Sequence, residues 1–205
     1  DQGEIRIGGK PVDGMTPAER NVAMVFQQYS LYPHLTVREN LAFPLKSPLL
    51  QTPPAEIVAK VNAVADMLRI SHKLDNKATA LSGGEMQRVR VAQAVISHPK
   101  LILADEPLSA LDLHHQQVVS ELVHQQSERF GAAVLFVTHD VNPIIDYVDR
   151  VLYLAQGRYS IGTADEVLQS DVLSALYGTE IDVVRNQGRV VVLGAHDHDH
   201  HEAEE

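Results

Sequence analysis

Cysteine is absent from the 205 residues, which excludes disulfides, cysteine zinc sites and thiol nucleophiles and agrees with a reducing compartment. Long apolar runs are absent too. Val134-Leu-Phe-Val137 and Val190-Val-Val-Leu193 are typical of the longest, at about five residues or fewer, against the roughly 20 that a membrane-spanning helix needs. Basic charge is scarce: 17 Lys and Arg stand against 27 Asp and Glu, for a formal net charge of −10. Part of that excess sits in Asp197, Asp199, Glu202, Glu204 and Glu205 at the end of the chain, but the body stays acidic without them. Nucleic acid is therefore excluded as a partner, because phosphate neutralisation needs a basic face. The opening Asp1-Gln-Gly-Glu-Ile-Arg6 has neither the basic nor the apolar region of a secretory signal, so a cytoplasmic location is expected. No internal repeat and no heptad run occurs.

What remains is ordinary for a soluble globular chain, with 44% hydrophobic and 21% charged residues. Val22–Phe26, Leu101–Ala104, Ala133–Val137 and Val151–Leu154 are apolar segments of strand length. Near-continuous apolar runs suit strands buried on both faces. Between them, apolar residues recur at helical spacing over Ala55–Arg69, Glu85–Ser97 and Gln116–Arg129. Alternating strands and helices predict βαβ units and a mostly parallel, covered sheet, hence an α/β fold. Ile5-Arg-Ile7, Gly8-Gly9 and Lys10-Pro-Val12 read instead as a short antiparallel pair around a glycine turn. The final His196-Asp-His-Asp-His-His-Glu-Ala-Glu-Glu205 has too little apolar content to fold.

Chemistry concentrates at the strand ends and at one helix start. In Leu81-Ser-Gly-Gly-Glu-Met-Gln-Arg88, Ser82 and Glu85 fit a capping box. Gly83 and Gly84 let the backbone approach a ligand closely, and the helix N-terminus favours an anion. A helix cap with no ligand would use the same residues. Asp105-Glu106 ends the strand Leu101–Ala104, where α/β folds bind ligands, with one carboxylate placed for Mg²⁺ and the other for a water. Ser109-Ala-Leu-Asp112 follows, His139 stands after Ala133–Val137, and Gln27 stands after Val22–Phe26.

Gln27, Leu81-Ser-Gly-Gly-Glu85, Leu101–Glu106, Ser109-Ala-Leu-Asp112 and His139, in this order over residues 1 to about 165, resemble the ATP-binding subunits of ABC transporters. The resemblance implies a P-loop NTPase-like ABC ATPase core with a parallel sheet, an antiparallel β edge and a helical subdomain. Its regions would be 1–20, the antiparallel edge; 21–46, the Q-loop strand and permease-contact segment; 47–97, the helical subdomain with the signature; 98–165, the Walker B, D-loop and switch-histidine core; 166–194, a C-terminal helix and strand; and 195–205, a disordered tail. It implies ATP and Mg²⁺ as ligands. Glu106 would be the general base, His139 the switch histidine at the γ-phosphate, and Gln27 the Q-loop glutamine sensing Mg²⁺ and the attacking water. Asp105 would hold Mg²⁺ through water. Ser82, Gly83, Gly84 and Glu85 would face the nucleotide of a second subunit, with Asp112 joining the two sites. Partners would be a second ATPase subunit, membrane permeases and a substrate-binding protein, with the chain peripheral on the inner membrane face. ATPases of DNA repair and chromosome structure share some of these motifs but need long coiled coils, which this sequence does not provide.

The G-x-x-x-x-G-K-[ST] loop that precedes the Q-loop in the family does not occur in these residues; Gly9-Lys10 is followed by Pro11. By comparison the fold is expected to be N-terminally truncated and a poor ATPase by itself. Residues 22–40 and 75–88 look like sugar and polyamine importers, whereas Leu111–Gln116, Val137–Pro143 and the C-terminal third look like zinc and manganese importers. His196, His198, His200 and His201, interleaved with acids, could ligate zinc or serve only as a solubilising tail. A divalent metal is the leading cargo on this reading, a sugar or polyamine the alternative, and a non-catalytic docking fragment the alternative of another class.

Overall fold

A computed structural model describes residues 3–16, 19–26, 31–109 and 111–194. The chain divides into two units, Asp1–His139 and Asp140–Glu205. In the first, strands β1 (Arg6–Ile7) and β2 (Lys10–Pro11) pair antiparallel. Gly8 and Gly9 turn the chain between them at φ 57 and 76, a conformation that glycine adopts without a Cβ clash.

Strand β3 (Val22–Val25) is followed by helices α1 (Val37–Ala42), α2 (Pro54–Met67) and α3 (Gly83–Val95), strand β4 (Leu101–Asp105), helix α4 (Leu113–Phe130) and strand β5 (Ala133–Val137). The three strands form one parallel sheet in the order β3-β4-β5. Thr36 caps α1, Ser82 caps α3 and Asp112 caps α4, each accepting from a backbone N–H of the first turn. Alternation along the strands sends Val25, Ile102 and Ala104 to a buried face, on which α3 packs beside β3 and α4 beside β5.

The opposite face corrects an expectation. Met24, Leu103 and Leu135 lie in register across the sheet, and Met24, Leu135 and Val137 are exposed with Leu103 half-buried between, so the described residues cover this face far less than the other.

The second unit holds strands β6 (Val151–Ala155) and β7 (Arg158–Gly162), helices α5 (Ala164–Val167) and α6 (Ser170–Tyr177), and strands β8 (Ile181–Asn186) and β9 (Arg189–Gly194). Val151–Leu154 forms the strand expected from its apolar run, but with a different partner. The segment does not extend a parallel sheet but pairs antiparallel with β7 through a Gln156-Gly157 turn at φ 49 and 74. β8 and β9 form a second hairpin, and Leu173, Leu176 and Ile181 pack with Tyr153 and Tyr177 into a small core. Asn142 holds the start of β9, accepting from Val190 N at 2.8 Å and donating to Val190 O at 3.0 Å.

Candidate nucleotide site

Glu106 follows β4 directly and adopts φ 47, a left-handed backbone that a non-glycine residue takes only when its surroundings impose it. Its N–H donates to Val137 O at 2.9 Å, carrying the ladder with β5 one step past the end of β4. Its carbonyl accepts from Ser109 N at 3.3 Å and from Ser109 Oγ at 3.0 Å. So held, the carboxylate meets the His139 ring, with Glu106 Oε1 and His139 Nδ1 2.9 Å apart. Asp105, the last residue of β4, is exposed at the same sheet edge. A carboxylate–imidazole pair thus stands at the C-terminal end of a parallel sheet, where a βα ligand site belongs, with Asp105 the preceding residue of the chain.

The signature segment forms the predicted capping box. Ser82 Oγ accepts from Glu85 N at 3.3 Å, and the Glu85 carboxylate accepts from Ser82 N at 2.8 Å and Ser82 Oγ at 3.0 Å. Lys73 Nζ stands 3.2 Å from Glu85 Oε1. The Ser82 backbone bond, followed by contacts from Lys73 and the Ser82 hydroxyl, pulls the Glu85 carboxyl down to about 2. A Cβ built on Gly83 meets nothing within 4 Å, so the helix start is open to a ligand there, whereas one on Gly84 would lie 3.6 Å from the Leu111 side chain. The signature helix therefore abuts the segment that leads to Asp112. At Asp112 the carboxylate caps α4, accepting from His115 N at 2.9 Å and lying 2.7 Å from His115 Nδ1. These bonds hold its pKa below the usual aspartate value, backbone bond first.

Placement of the other sequence-derived residues is uneven. Gln27 and the tail histidines His196, His198, His200 and His201 lie outside the described residues. Among the described residues no cluster of His and acids suits a metal ion by itself, and no helix is long and apolar enough to cross a membrane.

Two residues of the region escaped sequence reasoning. Asn40, fully buried on α1, accepts from Tyr32 N at 2.8 Å and donates to Tyr32 O and Thr36 O at 3.1 and 2.9 Å, anchoring the loop before the helix. Gln87, buried on α3, donates to Pro107 O at 2.8 Å. Both anchor backbone distant in sequence or in a loop, which no local spacing announces.

The profile of the family described as ABC transporter matches residues 1–109. The chain belongs to the ABC transporter family. Trehalose import ATP-binding protein SugC of Mycobacterium tuberculosis is 42% identical over 168 residues, covering 82% of this chain and 42% of that protein. An sn-glycerol-3-phosphate import ATP-binding protein, UgpC of Cupriavidus necator, is 40% identical over 194 residues, 91% of this chain and 52% of its own length. Maltose/maltodextrin import ATP-binding protein MalK of Yersinia pestis is 41% identical over 155 residues, 76% of this chain and 42% of that one. The ABC family chain thus spans about half the length of the curated relatives it matches. A solved inward-facing structure of an ABC transporter assigned to the metal-chelate type superposes with TM-score 0.68 at 24% identity, covering 86% of this chain and 72% of that chain. At that identity the likeness shows the fold, and the α/β ABC ATPase architecture with parallel sheet, antiparallel strands and helices is the one expected from the sequence.

Proposed function

We propose that this chain is ATP-binding and ATP-hydrolysing sequence of an importer's ATPase subunit, acting with a second ATPase subunit, permease subunits and a substrate-binding protein at the inner face of a membrane. The observation that carries the reading is the Glu106–His139 pair at 2.9 Å beside Asp105 at the sheet edge. The donor set suits the end of a nucleotide where charge changes. Asp105 is an exposed hard-oxygen ligand of the kind that takes Mg²⁺ through water, and Mg²⁺ there would neutralise phosphate charge as the bond to the leaving group breaks. Glu106 would accept the proton of the attacking water, with His139 holding the carboxylate in position and donating toward the γ-phosphate. Ser82 and Gly83, open at the start of α3, and Gly84 behind them would face the nucleotide of the second subunit, with Glu85 fixing Ser82 and Asp112 following the Leu111 that Gly84 packs on; Gln27 would complete the site. Residues that grip the α- and β-phosphates are not supplied by the motifs of this segment.

For cargo, the relatives' names favour trehalose, maltodextrin or glycerol phosphate over a metal ion, so the sugar reading replaces zinc or manganese as the leading one. The zinc reading retains only the C-terminal likeness to metal importers and the tail histidines.

The test is Glu106→Gln in protein expressed from the complete reading frame. ATP turnover is expected to fall by about 10² to 10⁴, the usual worth of a general base, while nucleotide binding persists. Turnover within a few-fold of the unsubstituted protein removes Glu106 from that role.

A further inference from the structure

Gln87 lies on α3, in the first turn past the Ser82–Glu85 box, and is 2% exposed. A buried primary amide needs partners at both ends, because each one left unmade keeps the full cost of removing that group from water. Gln87 finds both. Its Nε2 donates to Pro107 O at 2.8 Å, and its Oε1 accepts from Arg90 Nη1 at 2.8 Å. A guanidinium can only donate, so Arg90 settles which way the amide points: oxygen toward Arg90, NH₂ toward Pro107.

Pro107 immediately follows Glu106. Beyond it, Gln116 of α4 donates from Nε2 to Leu111 O at 3.2 Å and Leu108 O at 3.4 Å. The Glu106–Asp112 segment is thus gripped by one glutamine from each flanking helix, while Ser109 closes on the Glu106 carbonyl. Such a grip is what a non-glycine residue at φ 47 requires, since that conformation is strained and persists only where neighbours impose it.

We propose that Gln87 is a positioning residue for Glu106. Its bond to the Pro107 carbonyl ties the start of the signature helix to the turn that aims the Glu106 carboxylate at His139, so a displacement of α3 is felt at the carboxylate. The proposal rests on the reading of Glu106 as the base, and it adds a link between the signature segment and that base within a single chain.

Gln87→Glu tests it. The substitution keeps size, burial and the Arg90 partner, removes the donor, and sets a carboxylate against the Pro107 carbonyl; Gln87→Met, with neither donor nor charge, is the second variant should the first fail to fold. Amide hydrogen exchange on the 205-residue chain is expected to quicken by about tenfold at Ser109 and Leu111, whose N–H groups close the gripped turn, with the interior of α3 unchanged. Unchanged exchange at both amides, or equal acceleration all along α3, overturns the proposal. In protein from the complete reading frame, Gln87→Glu is expected to lower kcat about tenfold with KM for ATP inside about threefold, and to add nothing in a Glu106→Gln background. A fall in KM and kcat together, or an additive double variant, overturns it as well. If Glu106→Gln alone leaves turnover unchanged, the base reading has failed, and the exchange measurement still decides whether Gln87 grips the turn.

Discussion

His98 stacks on Phe130 with ring centroids 3.8 Å apart and sits at φ 51. Burial, then Lys60 and Arg129 nearby, hold its pKa below the usual histidine value; a bond from Gln126 and the charge of Glu56 oppose them. The folded state thus favours the neutral ring. Stability from this group is complete above the unfolded value near 6.5 and drains away as pH falls below it. The denaturation midpoint is expected to drop as pH falls below about 6.5, and His98→Asn, which tolerates a left-handed backbone, should remove that part of the slope. Equal slopes in the two proteins would exclude His98 as the cause. Glu85 acts in the same direction at lower pH. Its carboxyl lies near 2 rather than 4.5, so the capping box contributes fully above about pH 4.5 and is lost as pH falls toward 2. Glu85→Gln should flatten that acid limb, and circular dichroism during acid titration reads it.

At the scale of elements, what was legible in the sequence was what is local. The Ser82–Glu85 box and the apolar run ending in Asp105-Glu106 carry their geometry in adjacent residues, and both stand as read. Val151–Leu154 misled because an apolar run states that a strand is present but not which neighbour it pairs with; the Gln156-Gly157 turn was the signal that it folds back on itself. Asn40 was invisible for the converse reason. Its polar side chain is fully buried at the second turn of α1, and only the folded loop Tyr32–Thr36 supplies its partners. Asn40→Leu takes the amide from the Tyr32 N–H and from the Tyr32, Leu35 and Thr36 carbonyls, each of which keeps a backbone donor, so the unmet Tyr32 N–H sets an expected loss of about 1–3 kcal/mol. Chemical denaturation measures it, and a loss below about 1 kcal/mol would show that the loop finds other partners.

The whole molecule presents apolar surface in each of its two units. On the parallel sheet, Leu135 is 54% exposed, with exposed Val137 two residues on and exposed Met24 across Leu103. On the β6–β7 hairpin, register sets Leu152 against Ile161 and Leu154 against Tyr159, and all four are exposed, Leu154 and Tyr159 to 69%. Cross-strand pairs on one face of a hairpin make a contiguous patch, and contiguous apolar patches beyond a few hundred Å² are uncommon on soluble monomers. The 205-residue chain should therefore bind an uncharged apolar reporter dye such as Nile red while fully folded. Leu135→Lys and Leu154→Lys test each face separately. Both side chains are mostly in solvent, so neither substitution removes packed core, and each should leave the unfolding free energy within about 0.5 kcal/mol of the original. A lysine in the middle of either patch breaks its continuity and places a hydrated ammonium where the dye would lie, so each variant should bind clearly less dye and the pair less still. Dye binding that is unchanged in the double variant would mean that these faces are covered in solution.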